Sequence, residues 1–66
     1  MTPAREIAIR LLTERRAFQP GSLDWNYLAR AAWTLDQMAR GIPSQDWTKE
    51  PPEGLAAYIE RMEIAA

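Results

Sequence analysis

Sixty-six residues make a single domain, spanning 1–66, with too little interior to hold a cofactor and a substrate side by side. The composition, 47% hydrophobic and 26% charged with a net charge of −1, is that of a chain that folds rather than a disordered or fibrous one. With no cysteine and no histidine, disulfides, thiolate nucleophiles, zinc sites and imidazole acid–base chemistry are excluded.

Thr2-Pro3 reads as a helix start, with a capping hydroxyl followed by a proline whose missing N–H costs nothing at the first helical position. The first helix is expected over about 3–17. At 100° per residue Ala4, Ile7, Ala8, Leu11, Leu12 and Phe18 share a face expected to meet the core, while Glu6, Arg10 and Glu14 form an i, i+4 ladder elsewhere. Arg5 and Arg16 flank the apolar stripe. Arg15 points into it, with its stem expected to cover apolar surface and its head to stay in water. FQPGS, residues 18–22, ends the pattern because Pro20-Gly21 favours a turn.

Ser22 is a suitable N-cap for a second helix over about 23–40, and Asp24 complements its dipole. Gly41 suits the left-handed position after the helix, Ile42 folds back on the last turn, and Pro43 prevents continuation. Tyr27, Leu28, Ala31, Leu35, Met38 and Ala39 form its main apolar stripe, with Trp25 and Ala32 at the edge and Trp33 outside it. Residues 43–52 (PSQDWTKEPP) are a polar connection with one large anchor, Trp47, and a single helical turn capped by Ser44. Pro51-Pro52-Glu53 then opens a third helix over about 52–64, whose apolar face is Leu55, Tyr58, Ile59 and Met62 and whose weak point is Gly54. No strand pattern competes. The expected fold is all-α, a small three-helix bundle with the second helix central.

For chemistry the residues offer little. Ser22, Ser44, the threonines and Lys49 have no base near them in sequence, and both serines suit caps. Glu50 with Glu53, or Glu60 with Glu63, pairs carboxylates at i, i+3, but three short helices offer no sugar-sized cleft. Asp46, Glu50 and Glu53 match no calcium-loop spacing. The chain is therefore read as non-enzymatic, with no cofactor and no metal. Its apolar runs fall far short of the roughly 20 residues that span a bilayer and no signal-type h-region follows the N-terminus, so a soluble, cytoplasmic protein is expected.

Charge is uneven: residues 1–22 carry four arginines against two acids, and residues 43–66 carry five acids against two bases. Arg5, Arg15 and Arg16 are the candidates for phosphate contacts, although an acidic pI near 5.3 argues against unaided nucleic-acid affinity. The plainer account pairs the first helix with the acidic third. Three tryptophans are the unusual positive feature. Core packing explains any one of them, but Trp33 sits with Arg30, Gln37 and Arg40 on the side of the second helix away from its aliphatic stripe, and Trp and Arg dominate binding hot spots. Arg30, Trp33, Gln37 and Arg40 are thus the candidate partner-binding face. The favoured reading is a protein-binding module that docks on a larger macromolecule as adaptor, regulator or inhibitor; so small a core also fits a homodimer. The alternative is a dimeric helix-turn-helix-like DNA-binding regulator, for which the N-terminal face of the second helix supplies only Asn26, Arg30 and Gln37 as base readers.

Overall fold

A computed structural model describes residues 3–65. Three helices follow one another: α1 (Pro3–Glu14), prolonged by a 3₁₀ turn at Arg15–Ala17; α2 (Leu23–Ala39); and α3 (Leu55–Ala65), with a further 3₁₀ turn at Ser44–Asp46 in the α2–α3 connection. This is the all-α three-helix bundle. The radius of gyration of 11.1 Å is that of a compact chain of this length. The Thr2 cap expected from sequence lies outside the described residues.

Local signals account for most boundaries. The Gln19–Ser22 turn is closed by the Ser22 N–H on the Gln19 carbonyl (3.0 Å), with Gly21 at φ +86° supplying the left-handed residue. Ser22 then caps α2, its Oγ accepting from the Trp25 N–H at 3.2 Å. At the other end the Gly41 N–H reaches the Met38 carbonyl (3.0 Å) and the Ile42 N–H the Gln37 carbonyl (3.2 Å), with Gly41 at φ +76°. This pair of bonds is the Schellman termination that the Arg-Gly-Ile-Pro run encodes.

Two boundaries differ from expectation. α3 begins at Leu55 rather than residue 52, because Pro51 is pushed out of the α region by Pro52 and the chain instead makes a turn, closed by the Gly54 N–H on the Pro51 carbonyl (2.9 Å). Gly54, at φ +89°, is the turn's left-handed residue and not a weak point inside a helix. The Ser44 side chain caps nothing: the short turn there begins from Pro43.

Most inter-helix packing joins α1 to α2, and α3 completes the core from the side. The buried apolar residues are Ala8 and Leu12 of α1, Ala29, Ala32 and Trp33 of α2, and Tyr58, Ile59 and Met62 of α3. The three alanines let the α1 and α2 backbones approach closely, and Trp33 meets Tyr58 edge to face at 5.2 Å between centroids. α1 is turned from its expected orientation. Ile7 and Phe18 are exposed, Ile9 and Leu11 pack at the edge of the core, and Arg15 is only 7% exposed, with its guanidinium 5.6 Å from the Trp25 ring centroid and paired with Glu63.

Candidate functional site

α2 is turned furthest from the expectation. Its inward side is Ala29, Ala32, Trp33, Asp36 and Gln37, all buried, whereas two residues of the stripe expected in the core look outward, Tyr27 at 77% exposure and Met38, beside Leu23 at 89%; Leu28, Ala31, Leu35 and Ala39 of that stripe are half-buried. The reason lies in partners far along the chain. Asp36, fully buried, accepts from Arg5 Nη1 at 2.7 Å and from Arg40 Nη2 at 3.1 Å. Gln37 is held by a two-way exchange with Thr48, accepting its N–H at 2.8 Å and donating to its carbonyl at 3.1 Å. The Trp33 indole N–H is shared between the Thr48 carbonyl (3.1 Å) and hydroxyl (3.2 Å). With their hydrogen bonds made, these polar groups bury at little cost, and the side of α2 that carries Trp33 goes in.

The expected partner face therefore does not stand free. Trp33, at 5% exposure, and Gln37 belong to the interior. Arg40 lies 5.9 Å from the Trp33 ring centroid and holds Asp36, and Arg30 remains outside, paired with Glu50 at 2.6 Å. The arginines expected to touch phosphates hold acids of their own chain: Arg5 binds Asp36, while Arg15 and Arg16 share Glu63. The junction of the basic first helix with the acidic third is thus made. Trp47 is half-buried and pins the connection by donating to the Ile42 carbonyl at 2.7 Å.

Around Asp36 the Tyr58 hydroxyl is buried with no partner in hydrogen-bond geometry among the described residues. Burial first, and the Asp36 carboxylate beside it second, push its ionisation well above the ordinary phenol range. This cluster organises the interior and offers no acid–base pair to solvent. Among the described residues no group of three or more potential metal ligands comes together, and no helix is long and apolar enough to cross a membrane.

A groove of about 710 Å³ lies open on the outer face of α2, lined by Leu23, Asn26, Tyr27, Arg30, Ala31, Thr34, Leu35 and Lys49. Its floor is apolar. Leu35 reaches both ways, packing against the core and lining the groove, so floor and core are mechanically continuous. The bases Arg30 and Lys49 stand in its wall, and among the described residues no acid lines it. A second depression, about 550 Å³, is bordered by Trp33, Arg40, Asp46, Thr48, Glu53 and Arg61; there Arg61 pairs with Glu53 at 3.1 Å and Arg40 with Asp36, while Asp46 makes no ion pair among the described residues. Of the groove residues, sequence periodicity places Tyr27, Ala31 and Leu35 on the inward stripe and Arg30 on the opposite, partner-binding face. No protein-family model matches the chain, and neither a curated protein nor a solved structure matches it.

Proposed function

We propose that the chain is a small non-enzymatic docking module, cytoplasmic, that binds a larger protein through the outer face of α2 and acts as adaptor, regulator or inhibitor. The observation that carries this reading is the exposure of Leu23 and Tyr27 over an apolar groove on a helix that is already packed on its other side. A helix packed on one side that also carries large apolar residues on the other is ordinarily covered there too, and an open apolar patch marks an interaction surface. The lack of cysteine fits a reducing compartment. A DNA-binding regulator is the weaker reading, because Arg5, Arg15 and Arg16 are each engaged by Asp36 or Glu63 and would have to leave those acids to meet phosphate.

The test compares capture from the native host's lysate by the wild-type chain and by a Leu23→Ser/Tyr27→Ser variant, after circular dichroism shows that both are equally helical. A specific partner is expected with the wild type and lost with the variant. Identical captured proteins with both would contradict the reading.

A further inference from the structure

The groove is a particular shape with a particular charge. From Leu23 to Leu35 it runs along twelve residue steps of α2, about 18 Å at 1.5 Å per step, which is the length of about three helical turns. A second helix laid along it would meet Leu23, Tyr27, Ala31 and Leu35 with side chains spaced i, i+3 or i+4 and i+7. Ala31, at the middle, leaves room for a large side chain of the incoming helix.

In a chain with nine acids and eight bases, the charges that line this groove among the described residues, Arg30 and Lys49, are positive. Arg30 is already shared with Glu50, both partners half exposed, whereas Lys49 makes no ion pair among the described residues. An occupant that brings a carboxylate to this side gains a counter-ion, and one that brings an ammonium meets repulsion. The same charges decide against a second copy. Antiparallel twofold pairing of α2 with itself sets the Arg30 and Lys49 wall of one protomer on the same side as that of its partner, like against like.

Building on the docking reading, we infer that the groove's occupant is an acidic amphipathic helix of another protein, about three turns long, with its apolar residues on Leu23, Tyr27, Ala31 and Leu35 and its carboxylates toward Lys49 and Arg30.

The test uses two designed, fluorescein-labelled helical peptides that share leucines at i, i+4, i+7 and i+11 and differ only in carrying glutamate or lysine on the flanks. The full chain is titrated against each by fluorescence anisotropy at low and high salt, and its mass is followed by sedimentation equilibrium. The glutamate peptide is expected to bind with a Kd on the order of micromolar and to weaken as salt rises, with the lysine peptide at least about tenfold weaker. Tyr27→Ala should weaken the glutamate peptide about tenfold or more, and Lys49→Glu should narrow or reverse the preference between the peptides. Equal binding of both peptides, or tighter binding of the lysine peptide, overturns the charge assignment while leaving docking in place. Dimerisation that Tyr27→Ala abolishes overturns it in favour of a second copy. Binding of neither peptide overturns a helical occupant, and docking itself is then decided by the loss or persistence of lysate capture in the Leu23→Ser/Tyr27→Ser variant.

Discussion

The two sides of α2 are built on opposite principles. The inner side buries a carboxylate and an amide, each fully engaged, between Ala29, Ala32 and Trp33; the outer side exposes a leucine, a tyrosine and a methionine with nothing over them. Summed hydropathy favours the reverse arrangement. What separates the sides is complementarity: Arg5 reaches Asp36 from α1, and Thr48 reaches Gln37 and Trp33 from the α2–α3 connection, so the polar side fits its neighbours. The aliphatic side has no such neighbour among the described residues. A helix face is selected for the interior by the partners it finds there.

Substitutions on the two sides should therefore differ sharply in size. Trp33→Ala removes the edge-to-face contact with Tyr58 and leaves a large cavity, at a cost of about 4 kcal/mol. That is comparable to the whole stability expected of so small a core, so far-ultraviolet circular dichroism at 25 °C should show a largely unfolded chain. Asp36→Ala takes from Arg5 and Arg40 the carboxylate that they share. The cost is about 2–3 kcal/mol, below that of a wholly buried pair because both arginines reach water, and it should appear as a lower urea midpoint with an unchanged slope.

Tyr58→Phe probes the same side more gently. Its hydroxyl has no hydrogen-bond partner among the described residues, so the change should stay within about 1 kcal/mol at neutral pH. The effect is conditional on pH. The folded state holds the phenol proton more tightly than the unfolded chain does, so the stability associated with it is fully present below an ordinary phenol's pKa of 10.0 and is lost as pH rises above it. Thermal melts of the wild type should fall above pH 10, and those of Tyr58→Phe should fall less. Smallest of all, Tyr27→Ala and Leu23→Ser on the outer side should change stability by about 0.5 kcal/mol or less. A cost above about 2 kcal/mol for either would erase the contrast between the sides.

How much of this was legible depends on the range over which each feature is determined. The Ser22 cap, the Gly21 turn and the Gly41 termination are set by residues within six positions of one another, and the sequence displays them directly. The start of α3 is ambiguous in the sequence for an equally local reason: two prolines shortly before a glycine can open a helix or close a turn, and here Gly54 takes the positive φ that only the turn uses. The orientation of α2 was not legible from its own helical wheel. Asp36 is satisfied from 31 residues upstream and Gln37 from 11 downstream, so both count as solvent-facing until the tertiary structure is known. One signal was available: Ala29, Ala32, Trp33 and Asp36 recur at i, i+3, i+4 and i+7, a stripe of small residues around one large ring. Arg15 was misjudged similarly, because its partner Glu63 lies at the far end of the chain.

Thiol labelling tests the orientation of α2 most directly, because the chain contains no cysteine of its own. Single variants Tyr27→Cys and Met38→Cys sample the outer side, and Ala29→Cys and Ala32→Cys the inner one. At micromolar protein, the outer pair should react with a soluble disulfide reagent at the rate of an unfolded peptide. The inner pair should be slowed by about a hundredfold or more until denaturant opens the fold. Protection at position 27 together with rapid reaction at position 32 would mean that α2 packs the other way round, and the groove and the docking surface built on it would fall.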